Sequence, residues 1–296
     1  MTREGTVTTP DGRTLAYVER GAPDGFPVLV LHGTPGSRAT RHPDPTFYER
    51  HGVRAVAYDR PGYGLSDPQP GRVVADAPAD VLAVADHLGF ERFAVVGGSG
   101  GAPHALACGA LISGDRLVRV GALVTPAPPD AEGLDFFEGL AEINVKEFNA
   151  ALEGREAIEA FLQPYVDGIR ADVDGVIDEI LSELPDIDRE RASKPEARAV
   201  MREGWLEAVR QGSRGWADDD VAFTKPWGFR LEDVMIETRV WQGELDRLTP
   251  RPHGEYVASR LPNARFEVLM GGGHFLDPEW GFVLDWLTGT GAGSAA

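Results

Sequence analysis

Residues 93–107 read FAVVGGSGGAPHALA and carry the strongest structural signal in the sequence. Its first half, Phe93–Val96, is the apolar run of a buried strand, and the small residues from Gly101 onward continue as a helix. Gly97, Ser99 and Gly101 match the pattern G-x-S-x-G at the turn between the two elements. That turn forces a serine into a strained backbone and projects its hydroxyl, while the glycines let strand and helix approach closely. The sequence therefore predicts Ser99 as a nucleophile.

Further strands and helices alternate on both sides of this stretch. Asp11-Gly12 lies between two β-rich runs and predicts a hairpin. Short apolar runs without polar alternation are typical of strands that are covered on both faces, so we expect an α/β fold with a mostly parallel sheet flanked by helices. The predicted strands are 27–31, 54–58, 93–96, 117–124, 238–242 and 265–269, and the predicted helices are 74–88, 101–112, 252–261 and 278–287.

The segment from Asp130 to Asp220 differs in character from the rest. It holds 24 acidic and 10 basic residues, which is −14 of the chain's net charge of −18. Its apolar residues recur at helical intervals and predict four or more amphipathic helices. We expect a core domain of residues 1–126 and 228–296 and a helical cap of residues 127–227 that follows the sixth strand. The acidic run Asp218–Asp220 is expected to be a solvated helix start and not a metal site.

Composition excludes several classes of protein. A strongly acidic chain of 296 residues disfavours nucleic acid and anionic membranes as partners. Cys108 is the single cysteine, so neither a disulfide within the chain nor a cysteine zinc site is possible. No apolar run reaches the roughly 20 residues of a membrane span, and no leader is evident at the start. We expect a cytoplasmic protein with a small-molecule substrate, no metal and no cofactor; the oligomeric state stays open.

A second glycine-rich loop follows the strand at 27–31, where residues 28–37 read VLVLHGTPGS. Such a loop can direct a backbone N–H at a reacting carbonyl oxygen, and Thr34 and Gly100 are the predicted donors of an oxyanion hole. Pro35 has no N–H to donate. We interpret His32, beside Gly33, as a structural residue that holds the loop.

Three motifs together resemble the α/β-hydrolase fold superfamily. They are His32-Gly33, the segment DRPGYGLS at residues 59–66, and Gly97-x-Ser99-x-Gly101. The resemblance covers nearly all of the chain outside the acidic segment, and it implies catalytic residues in the order serine, acid, histidine. The segment RVWQGELDRLTP, residues 239–250, resembles the acid loop and makes Asp246 the acid, with Glu244 as its rival. Residues 270–275, MGGGHF, resemble the histidine loop and make His274 the base.

The other histidines are given lesser roles. His104, five residues after Ser99, is expected to pack or hydrogen-bond beneath the site. Four more lie in polar or helical contexts and are expected at the surface: His42, His51, His87 and His253.

The resemblance implies a serine hydrolase that cleaves an ester, thioester or lactone of a small, mainly apolar, uncharged molecule through an acyl-enzyme. Relatives that hydrolyse epoxides or haloalkanes carry aspartate where this chain has Ser99, which argues against both activities. Three alternatives stay open: a prolyl-type aminopeptidase, a carbon–carbon bond hydrolase and a non-catalytic receptor on the same fold. The loop sequence HGTPG and the elbow GGSGG are close to those of the aminopeptidases.

Overall fold

A computed structural model describes residues 1–276 and 280–290. Its strands form one sheet in the order β1-β2-β4-β3-β5-β6-β7-β8. The hairpin β1–β2 is antiparallel and pairs antiparallel with β4, whereas the strands from β3 to β8 run parallel. The predicted α/β fold with a mostly parallel sheet is confirmed. The strands are β1 (Thr2–Thr8), β2 (Thr14–Gly21), β3 (Phe26–Leu31), β4 (Val53–Tyr58), β5 (Phe93–Gly98), β6 (Leu117–Leu123), β7 (Thr238–Gly243) and β8 (Ala264–Leu269).

Helices cover both faces of this sheet, which explains its continuous apolar runs. In β3, Leu29 and Leu31 pack into one core cluster with α2, α3 and α9, while Val28 and Val30 pack into a second cluster with α1 and α10. The start of the predicted last helix, at Pro278, lies outside the described residues. The sheet-covering helices are α1 (Phe47–Arg50), α2 (Ala77–His87), α3 (Gly101–Leu111), α9 (Arg251–Arg260) and α10 (Trp280–Thr288).

Residues 127–227, here called the helical insert, connect β6 to β7. Their apolar faces form a buried cluster around Ile158, Leu162 and Trp216, which also includes Tyr63 from outside the insert. Side chains of the insert and the carboxyl ends of β5 and β6 line one shared cavity. The insert helices are α4 (Glu142–Glu153), α5 (Arg155–Ser182), α6 (Asp186–Ala192), α7 (Pro195–Ala208) and α8 (Arg214–Phe223).

Candidate active site

Ser99 lies at the turn between β5 and α3 with φ of 54°, in the left-handed region. A β-carbon on Gly97 would overlap the carbonyl of Gly101, and one on Gly101 would overlap the carbonyl oxygen of Leu31. The backbone N–H of Ser99 donates to Leu123 O at 2.9 Å, which ties the turn to the end of β6. Glycines on both sides and this hydrogen bond hold the serine in a conformation that non-glycine residues rarely adopt.

Val124 is a second residue with a positive φ, 44°, and it follows β6 directly beside Ser99. A β-branched residue in this region is a genuine outlier. Its N–H donates to Trp241 O at 2.8 Å, and its carbonyl accepts from the Thr249 hydroxyl at 2.8 Å. The sequence predicts a plain strand up to Val124 and carries no signal of this turn.

Asp246 and His274 meet at the carboxyl ends of β7 and β8. His274 Nδ1 lies 2.9 Å from Asp246 Oδ2, and both residues are buried. The carboxylate also accepts the N–H groups of Leu248 and Thr249 and the Gln242 amide, and the Thr249 hydroxyl, which can donate to Val124 O, lies 2.9 Å from Asp246 Oδ2. These donors fix the orientation of the carboxylate.

The rival acid, Glu244, does not reach the histidine. Its Oε2 accepts the N–H of Gly271 at 2.8 Å, so it secures the base of the histidine loop. Asp246 alone of the two contacts His274, as the resemblance implied.

The pKa of His274 reflects two opposing effects. Burial alone would lower it, but the negative charge and hydrogen bond of Asp246, together with the charge of Asp188, raise it above the ordinary value. Because Nδ1 faces Asp246, Nε2 is the ring nitrogen left to exchange a proton. His274 and Ser99 line the same cavity.

The candidate oxyanion donors lie side by side. A β-carbon on Gly100 would overlap the Thr34 side chain. Within the described part of the chain, the backbone N–H groups of Thr34 and Gly100 donate to no other group. His32 Nδ1 lies 2.8 Å from Gly33 O, and His32 Nε2 accepts the N–H of Arg60 at 3.2 Å. Burial holds the pKa of His32 well below its usual range, which suits a neutral structural histidine.

An ionic network that the sequence did not reveal lies behind the Thr34 loop. Asp219, fully buried, pairs with Arg60 and Arg72 at 2.6 Å each and accepts the Tyr63 hydroxyl at 2.8 Å. It also accepts the Thr34 hydroxyl at 2.6 Å. Burial would raise the pKa of Asp219, but the two guanidinium groups hold it well below its ordinary value. The insert thus fixes one of the predicted oxyanion residues.

The expectation of a solvated helix start at Asp218–Asp220 is therefore wrong. All three residues lie on α8 and have buried side chains. Each carboxyl group has a partner from another element. Asp218 pairs with Arg155, and Asp220 contacts the carboxyl group of Glu147. Partners so distant in sequence leave no local signal. No group of three potential ligands that could hold a metal ion occurs among the residues described.

One of the four histidines expected at the surface is buried instead. His253 Nδ1 accepts the N–H of Ala127 at 3.1 Å, and its Nε2 lies 3.0 Å from Phe136 O. Burial lowers its pKa to about 4. His87 is exposed, as expected, while His42 and His51 are half-buried. His104 is buried beneath the site, with Nδ1 2.8 Å from Gly100 O.

The cavity beside Ser99 has a volume of about 310 Å³ and mainly apolar walls. Helices α4, α5, α7 and α8 supply most of the wall opposite the sheet, including Phe148, Ile180 and Trp205. Glu147 and Asp220 form an acidic spot in this wall. The two carboxyl groups are neighbours; burial, with the neighbouring Glu147, raises the pKa of Asp220 well above its usual range.

The model of the alpha/beta hydrolase family matches residues 28–283, and the chain belongs to that family. Among curated relatives, it is 34% identical over 155 residues to a non-heme chloroperoxidase of Streptomyces lividans and 37% identical over 112 residues to a proline iminopeptidase of Xanthomonas citri. The first match spans 52% of this chain and 56% of the relative, and the second spans 36% and 34%, respectively. This chain therefore aligns with only about half or less of each relative's length.

Solved structures match over almost the whole chain. An N-acyl homoserine lactone degrading enzyme, Est816, is 22% identical with a TM-score of 0.66, covering 95% of this chain and 99% of that one. The esterase RhEst1 from Rhodococcus sp. ECU1013 is 16% identical with a TM-score of 0.68, and the match covers 97% of this chain and 99% of that one. At these identities the likeness shows the fold. Within the described ranges, no helix is both long and apolar enough to cross a membrane.

Proposed function

We propose that the protein is a serine hydrolase that cleaves an ester, thioester or lactone of a small, mainly apolar, uncharged molecule. One observation carries the proposal: a serine at φ 54° shares a cavity of about 310 Å³ with a histidine whose Nδ1 is bonded to a buried aspartate. Mainly apolar walls of this size suit a small uncharged acyl or alcohol group.

The proposed mechanism uses groups of this chain alone. Ser99 Oγ attacks the carbonyl carbon as its proton passes to His274 Nε2. The N–H groups of Thr34 and Gly100 stabilise the negative oxygen of the tetrahedral intermediate. When the carbon–oxygen or carbon–sulfur bond breaks, His274 returns the proton to the leaving group. A water deprotonated by His274 then attacks the acyl carbon, and His274 returns that proton to Ser99 Oγ as the Oγ–carbon bond breaks, while Asp246 stabilises the imidazolium in both steps.

Turnover of short-chain p-nitrophenyl esters tests this proposal. Ser99→Ala should lower kcat by roughly four orders of magnitude or more, because the nucleophile itself is removed. Ser259→Ala is the matched control, since this exposed serine on α9 donates its hydroxyl to Tyr256 O within its own helix. Unchanged turnover in Ser99→Ala would refute the mechanism, and no turnover by the parent protein would favour a receptor.

A second candidate, a prolyl-type aminopeptidase, is favoured by the acidic spot of Glu147 and Asp220. Two carboxyl groups that share one proton keep a net negative charge, which can bind the ammonium group of a substrate. The relative from Xanthomonas citri is named a proline iminopeptidase.

Prolyl-naphthylamide and its N-acetyl derivative separate the two candidates. An aminopeptidase should cleave only the free amine, and Glu147→Gln should raise KM for it. Equal rates on the free and acetylated compounds, or no cleavage of either, would exclude the aminopeptidase and leave the esterase as the remaining candidate.

A further inference from the structure

Helix α6 of the insert places Asp188 against the loop that carries His274. The Asp188 side chain is fully buried, and its Oδ1 accepts the N–H of Phe275 at 2.9 Å. A β-carbon on Gly273 would overlap the same carboxylate. Asp188 therefore packs directly onto the backbone on both sides of His274.

The second oxygen of this carboxylate, Oδ2, has no hydrogen-bond partner among the described residues. A buried carboxylate that is only half satisfied is costly, so its charge needs another favourable interaction. Among the described residues, charged groups that contact the histidine loop include Asp246 on Nδ1, Asp188 beside Gly273, Glu244 on the Gly271 N–H, and the Arg191 guanidinium, which donates to Phe275 O. The charge of Asp188 acts on His274 to raise its pKa, in addition to that of Asp246.

We propose that Asp188 is a positioning residue for His274: its buried carboxylate fixes the loop at Phe275 and stabilises the protonated imidazole from the side of the insert. The role of this imidazole as a base rests on the proposed function. The consequence is that the insert takes part in the proton transfer as well as forming the cavity. Burial strengthens the effect of the Asp188 charge on the His274 imidazole, because solvent does not screen it.

Titration of the His274 imidazole by ¹⁵N NMR tests the electrostatic part without requiring turnover. Asp188→Asn keeps the acceptor for the Phe275 N–H and removes the charge. The pKa of His274 should then fall by roughly 0.5 to 1 unit. Glu190→Gln, which removes an exposed charge from the same helix, is the control and should leave that pKa unchanged.

The same pKa in Asp188→Asn and in the parent protein would overturn the proposal. Since this measurement follows the imidazole directly, it gives an answer even if no ester is hydrolysed. A failed esterase assay is thus distinguishable from a failed role of Asp188.

A double-mutant cycle tests the positioning part and covers the case in which Asp188→Asn does not fold. Gly273→Ala pushes its methyl group into the carboxylate and should displace His274, slowing the reaction of Ser99 with a fluorophosphonate by roughly 10²-fold. Asp188→Ala makes room for that methyl group, so the double variant should react faster than Gly273→Ala. Strictly additive losses would show that the two residues act independently and would overturn the proposal.

Discussion

At the scale of single residues, the site depends on backbone positions that only certain residues tolerate. The left-handed conformation of Ser99 costs on the order of 1–3 kcal/mol for a non-glycine residue, and the surroundings must impose it. Gly101 matters because the carbonyl of Leu31 occupies the place where its β-carbon would lie. A β-carbon on Gly98, in the same turn, would lie 4.0 Å from Leu123 Cβ, which is an ordinary contact. The two glycines therefore have different roles.

Gly101→Ala should lower the free energy of unfolding by about 1–3 kcal/mol, because strand and helix must separate to accept the methyl group. Gly98→Ala is the matched control and should change it by less than about 0.5 kcal/mol. Urea unfolding followed by circular dichroism measures both. Equal destabilisation by the two substitutions would contradict the steric account of the elbow.

The ionisation of His274 predicts the pH dependence of activity. The base must be neutral to accept a proton, and Asp246 raises its pKa despite burial. The value of kcat/KM should therefore rise with pH through one ionisation whose midpoint lies above the ordinary histidine value of about 6.5. Asp246→Asn should shift this midpoint downward and lower the plateau. A midpoint below 6 in the parent protein would contradict the assignment.

At the scale of elements, α8 connects the insert to the oxyanion loop. Asp219 accepts the Thr34 hydroxyl while Arg60 donates to the carbonyl groups of His32 and Gly33. The position of the Thr34 N–H thus depends on a helix that is 185 residues away in the chain. Both partners of the Arg60–Asp219 ion pair are fully buried, so loss of either one would leave the other charge buried without compensation.

Asp219→Asn should destabilise the protein by about 3–5 kcal/mol, because two buried guanidinium groups lose their counter-charge. In the fraction that folds, kcat should fall more than KM rises, since the oxyanion donor acts mainly on the transition state. Asp186→Asn, an exposed acid on α6, is the control. Parent-like stability and kcat in Asp219→Asn would refute the bracing role.

At the scale of the whole molecule, local patterns predicted the elements and failed where distant elements meet. The alternation of apolar runs and helices predicted the sheet, and the order serine, acid, histidine that the resemblance implied made Ser99, Asp246 and His274 the candidates. The burial of Asp218–Asp220 and His253 was missed, because their partners lie far away in sequence. The positive φ of Val124 also has no local signature.

The insert supplies more than a cavity wall. Asp188 contacts the histidine loop, and Asp219 holds the oxyanion loop, so two of the core's candidate catalytic loops are braced from one segment. Exchanging residues 127–227 for a foreign segment would remove both contacts. We therefore expect such an exchange to reduce the reactivity of Ser99 as well as to change which substrates fit.

Covalent labelling with a small fluorophosphonate, followed by intact-mass measurement and peptide mapping, shows whether Ser99 is the nucleophile. We expect one adduct per chain, located on Ser99, absent from Ser99→Ala and retained in Ser259→Ala. An adduct on any other residue, or no adduct on folded protein, would contradict the assignment of Ser99 as the nucleophile.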